Sequence, residues 1–73
     1  MAKKMKQYRV ELFNDYLPIK GMRSDFEKHE SLEDARRWVI DRGKKGGASY
    51  VRLYEKSDTR YNHYVYVAEI SII

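Results

Sequence analysis

The chain has 73 residues, no cysteine and a formal net charge of +4, the profile of one small basic domain. Without cysteine it can form neither disulfides nor zinc–thiolate sites, and no apolar run approaches the ~20 residues that a membrane span needs. A domain of this size buries only about 60% of the surface its unfolded chain exposes, so a binding partner is one available source of further stability.

The start, MAKKMKQYRV, is basic with no apolar run behind it, which does not fit a secretory signal. Residues 1–6 are expected to be a flexible basic tail, and residues 7–73 a single α+β domain that is soluble and cytoplasmic. In QYRVELF, Tyr8, Val10 and Leu12 alternate with Arg9, Glu11 and Phe13, the period of a strand. NDYLPIKG, which holds the only proline, reads as a turn-rich connection. MRSDFEKHE is a second strand candidate, with Met22, Ser24, Phe26 and Lys28 on one face.

SLEDARRWVIDRG is the clearest helix. The Ser31 hydroxyl suits the N-cap, where it accepts from a free amide of the first turn. Asp34, three residues on, is a weaker form of the capping box, which prefers Glu or Gln. Glu33 and Asp34 complement the positive helix start, and Arg42 and Lys44 complement its negative end. Gly43 reads as the C-terminal stop. At 100° per residue Leu32, Ala35 and Val39 form one apolar stripe, with Trp38 and Ile40 on its flanks and Arg36, Arg37 and Asp41 facing outward. GKKGG then reads as a flexible connector.

ASYVRLYEK alternates again, with Val51 and Leu53 opposite Tyr50, Arg52 and Tyr54. After a turn at SDTR, YNHYVYVAEISII is rich in β-branched and aromatic residues, which favour a strand. The expected fold is a four-stranded, mainly antiparallel sheet with one helix on a single face, in the order β-β-α-β-β. The last strand carries a conflict. If Val65 and Val67 point at the helix, then Ile70 and Ile72 point away, because side chains alternate with period 2. Either a bulge near Ala68 switches the faces, or Tyr66, Ala68, Ile70 and Ile72 face the helix throughout.

Five of the seven tyrosines fall between Ser49 and Val67, interleaved with Arg52, Lys56, Arg60 and His63. One helix covers one face of a sheet, so Tyr50, Arg52 and Tyr54 belong on the open face. Such a set stabilises a sheet through cross-strand pairs, stacks nucleotide bases, or docks a protein through Tyr and Arg. Arg52, Tyr54, Tyr64 and Tyr66 are the candidate contact residues. Arg36, Arg37, Arg42, Lys44 and Lys45 form the alternative, a basic patch on the helix.

Other motifs carry less. GKKG matches the GXXG string of nucleic-acid-clamping KH loops, but it joins a helix to a strand rather than two helices. A Walker loop and the glycine-containing RNP motif are both absent. His29 and His63 lie on different elements without carboxylates at metal-ligand spacing, and each reads as a lone surface histidine. No carboxylate sits in an apolar run that would tune it for acid–base work. The residues therefore point away from an enzyme, a metal site or a cofactor.

The run HESLEDARRWVIDRGKKGGASYVRLYE places a capped acidic helix between strands, with a glycine-rich turn after it. In element order, size and cysteine poverty, residues 8–56 resemble the small phage-encoded inhibitors of host RNA polymerase. That resemblance implies a non-enzymatic regulator, monomeric when free, that occupies a polymerase surface in the bacterial cytoplasm. It would block promoter engagement by excluding the sigma factor or the DNA. The basic charge departs from a DNA mimic, which would be acidic. The alternative is a domain that binds single-stranded nucleic acid through an aromatic-basic sheet face.

Overall fold

The computed structural model describes residues 5–15, 17–19, 24–59 and 63–72. Its elements in chain order are β1 (Lys6–Asn14), β2 (Leu17–Pro18), β3 (Asp25–His29), α1 (Leu32–Gly46), β4 (Tyr50–Lys56) and β5 (Tyr64–Ser71). All pairings are antiparallel. β1 lies between β4 on one side and both short strands on the other, β3 along its first half and β2 at its end. β5 flanks β4 and closes the order.

The α+β architecture is as the residues predict, but the sheet has five strands rather than four. The extra strand is the end of the turn-rich connection. Asp15 takes a left-handed φ of 51°, a conformation that Asp tolerates better than most residues, and the chain reverses there. Leu17 and Pro18 then pair with Asn14 and Phe13. Proline is acceptable because this strand lies at the sheet edge. Lys6, assigned to the tail from sequence, is the first residue of β1 and pairs with His29. Of the rest of that tail, Met5 is exposed ahead of the strand, and residues 1–4 lie outside the described residues, as does Met22.

The helix covers one face. Ser31 caps it as expected, its Oγ accepting from the Asp34 amide at 3.2 Å. The end differs from expectation, because the helix runs through Gly43 to Gly46 and stops at Gly47. Gly47 adopts φ 71° and its amide bonds back into the last turn, the left-handed C-cap that glycine permits. GKK is thus the last helical turn, not part of a connector. Gly43 serves packing instead. A Cβ there would lie 2.7 Å from Val51 Cγ1 and 2.9 Å from Ile72 Cδ1, so glycine lets the helix approach β4 closely.

Tyr8, Val10 and Leu12 meet Ala35, Val39, Ala48, Val51 and Leu53 in the core. Leu32, placed on the buried stripe from sequence, is exposed. His29 is not the surface residue expected: it sits against both Tyr8 and Trp38, with ring centroids 6.1 and 5.2 Å away. His63 is exposed.

The conflict in the last strand is resolved by a bulge. Leu53 pairs with Ala68 but Tyr54 pairs with Tyr66, so Val67 and Ala68 together oppose one position of β4. Tyr64 and Tyr66 consequently share the outer face with Tyr54, while Val67, Ile70 and Ile72 pack against the core.

Candidate binding face

The sheet face away from the helix is built from alternate residues of four strands. In register they form rows. Phe26, Arg9, Tyr54 and Tyr66 make one row across β3, β1, β4 and β5. Glu11, Arg52 and Glu69 make the next, and Phe13, Tyr50 and Ser71 the one beyond. At the opposite end, Lys28 stands beside Gln7, and Lys56 beside Tyr64.

Aromatic contacts tie these rows together. Phe13 and Tyr50 stack with centroids 5.0 Å apart and planes within 3°. Tyr54 meets Tyr66 edge-on at 6.0 Å. Phe26 and Tyr64 meet at 5.3 Å although they stand on β3 and β5, with two strands between them. The Arg9 guanidinium lies 5.1 Å from the Tyr54 ring centroid, and that of Arg52 lies 4.7 Å from the Phe13 centroid, both cation–π distances.

Both arginines are also paired. Arg9 Nη2 lies 3.1 Å from Glu11 Oε2, and the other Glu11 oxygen accepts a hydrogen bond from the Tyr54 hydroxyl. Arg52 Nε donates to Glu69 Oε1 at 3.2 Å. The Glu69 carboxylate pushes the Arg52 pKa up further. Burial first, and then the bond to Glu11, raise that of Tyr54. The middle of the face is therefore a neutralised aromatic–arginine lattice, whereas Phe26 and Tyr66 at its margins are each about half exposed, at 50% and 55%.

Of the residues proposed from sequence, Arg52, Tyr54, Tyr64 and Tyr66 come together here. Arg36, Arg37, Arg42, Lys44 and Lys45 do not form a comparable site. Arg42 turns toward the sheet and pairs with Asp25. Arg37 and Lys45 pair along the helix with Glu33 and Asp41, at 3.3 and 3.0 Å. Arg36 and Lys44 are exposed with no carboxylate partner among the described residues. Arg9, Glu11, Phe26, Lys28 and Glu69 were missed as site residues. The alternation of β1 did place Arg9 and Glu11 opposite the core face, and that was the signal available.

Among the described residues no three His, Cys, Asp or Glu side chains converge as metal ligands, and no helix is long and apolar enough to cross a membrane. Comparison with protein-family models, curated proteins and solved structures gave no match.

Proposed function

We propose that this protein is a non-enzymatic regulator that docks on another protein through the outer face of its sheet. The partner named by the resemblance is bacterial RNA polymerase, whose engagement with the promoter the protein would block. The observation that carries docking is the pairing of Arg9 with Glu11 and of Arg52 with Glu69, beside the half-exposed rings of Phe26 and Tyr66. A face made for phosphates presents its cations free. This one holds its central arginines against carboxylates and offers aromatic surface with mixed polar groups, the composition of protein interfaces in which Tyr and Arg dominate the binding energy.

The test is capture from nuclease-treated bacterial lysate, with the bound proteins identified by mass. Recovery of polymerase subunits by the wild-type protein, and their loss with Phe26→Ala/Tyr66→Ala, supports the reading. Capture that disappears on nuclease treatment assigns the face to nucleic acid. Polymerase retained in full by the double variant removes the sheet face from the proposal.

A further inference from the structure

The two edges of the sheet differ in chemistry. On one side lie β2, which contains Pro18, and β3, which carries Asp25, Glu27 and Lys28. Charges and proline are what keep sheet edges from pairing with other chains. The other edge is β5, eight residues long, whose only charged residue is Glu69. That carboxylate is already held by Arg52 at 3.2 Å. Among the described residues, no strand pairs with the side of β5 away from β4.

Hydrogen bonds at the two ends of β5 fix which backbone groups face outward. The His63 carbonyl accepts from the Ser57 amide, and the Ile72 amide donates to the Ser49 carbonyl, so both residues turn their backbone groups toward β4. In an antiparallel strand each residue points its amide and carbonyl to one side, and its neighbours point theirs to the other. Counting inward from both ends, Tyr64, Tyr66 and Glu69 turn theirs outward. The bulge at Val67 and Ala68 lies between the two counts, so Tyr66 and Glu69 flank it symmetrically. Two copies of β5 set antiparallel about a two-fold axis through the bulge therefore oppose Tyr66 to Glu69 of the second copy, and Glu69 to its Tyr66. Outward backbone groups meet outward backbone groups in both pairs. The same register opposes Val65 to Ile70 of the second copy on the helix side, which would cover a valine that is 49% exposed. Outward groups of a regular strand recur every second residue, so such a strand must be offset at the bulge. A second copy carries the same break at the same place.

The helix turns apolar surface to the same side. Trp38 and Arg42 reach β3, whereas Gly43 faces Ile72 at the end of β5. At 100° per residue, Leu32 and Ile40 fall on the Gly43 flank, where they line a hollow with Arg36. We infer that β5 is a homodimer seam, through which two copies of the chain pair antiparallel about Val67 and Ala68. The product is one continuous sheet with both helices on the same face. Such pairing adds stability to a 73-residue chain that has no cysteine to staple it. It replaces the free monomer that the resemblance implies. The seam is made of backbone and helix-side residues, so the outer faces of both copies stay open side by side. The inference goes beyond the docking reading and does not depend on it.

The experiment is sedimentation equilibrium of the full chain up to about 1 mM, with amide hydrogen exchange of the ¹⁵N-labelled protein over the same range. A monomer–dimer equilibrium is expected. Exchange at the Tyr66 and Glu69 amides should slow as concentration rises, while the amides of β3 keep their rates. Val65→Lys places a charge on the seam and should raise the dissociation constant roughly tenfold or more. Cysteine pairing checks the register. An oxidised mixture of Val65→Cys and Ile70→Cys chains should give a disulfide-linked dimer holding one of each, because the opposed Cα atoms would lie about 4.5 Å apart, within disulfide reach. Val65→Cys alone should not link, since its two copies would stand about 16 Å apart along the strands. A monomer at every concentration overturns the inference. So does a dimer whose Tyr66 and Glu69 amides exchange as fast as in the monomer, or one that Val65→Lys leaves equally tight. Loss of polymerase capture with the dimer intact strikes the docking reading alone.

Discussion

The rings of Phe26 and Tyr64 touch across a sheet in which their strands are not neighbours. β3 and β5 are separated by β1 and β4, and three strand spacings of about 4.8 Å would hold the backbones about 14 Å apart. A 5.3 Å contact requires both side chains to lean inward over Gln7 and Arg9 and the sheet to curl toward them, as its twist and the bulge in β5 favour. The outer face is consequently a trough with an aromatic closure at one end, not a flat platform.

Docking should depend on the margins of this trough. Phe26→Ala and Tyr66→Ala are each expected to lower partner affinity by about 1–2 kcal/mol, as exposed aromatic anchors do. Both rings are half exposed, so urea midpoints should stay close to wild type. Affinity by calorimetry alongside denaturation of the same variants checks both halves. Parallel losses of affinity and stability would mean that the rings serve the sheet alone.

The helix cations should behave differently. Arg36→Glu and Lys44→Glu are expected to leave affinity for the same partner unchanged, because they lie on the covering layer and outside the trough. Arg42→Ala should lower stability by about 1 kcal/mol or less, the usual worth of a partly exposed ion pair, by releasing α1 from Asp25. Weakened docking in the two charge reversals would move the interface to the helix.

Two glycines separate two physical roles. Gly43→Ala gains about 1 kcal/mol of helix propensity but forces a methyl against Val51, which is fully buried and cannot yield. Overpacking of this kind typically costs 1–3 kcal/mol, so a net loss is expected. Gly47→Ala meets no atom within 4 Å, and its expected cost, about 1 kcal/mol, comes from the left-handed φ. Chemical denaturation of both variants tests the assignment. A stabilised Gly43→Ala would show that the helix can move off β4.

Alkaline pH should destabilise the fold. Burial raises the Tyr8 and Tyr54 pKa values above the ordinary 10.0, and the bond to Glu11 adds to the shift at Tyr54. The hydrogen bond to Glu55 raises that of Lys6 above 10.5. In each case the folded value exceeds the unfolded one, so in the window between them the unfolded chain has released a proton that the folded chain keeps. The stabilisation is full below about pH 10 and is lost as pH rises through the folded values. Urea midpoints should fall above that point, and Tyr54→Phe should make the fall shallower. An identical slope in Tyr54→Phe would separate the Tyr54–Glu11 bond from the effect.

Much of the layout was legible from local pattern. The period of two put Val10 and Leu12 on one face of β1 and Val51 and Leu53 inward on β4, the Ser31 cap marked the helix start, and Tyr50 and Tyr54 were assigned to the open face, while the facing of Tyr64 and Tyr66 stayed open. The misreadings share a cause. Gly43 looked like a stop because glycine ends helices locally, whereas its role is set by Val51 and Ile72, eight or more residues away in the chain. Leu17 and Pro18 looked like a turn because two residues have no period.

The sequence by itself determined the order of the helix and its four main strands and, for β1 and β4, which side chains share a face, because both follow from backbone geometry over a few residues. Only the tertiary structure decided that β5 switches faces at Val67 and Ala68, that Arg9 and Arg52 are neutralised by Glu11 and Glu69, and that Phe26 meets Tyr64. Those relationships depend on register and curl across the whole sheet. Register and curl are set by packing between residues far apart in the chain, and no local periodicity encodes them.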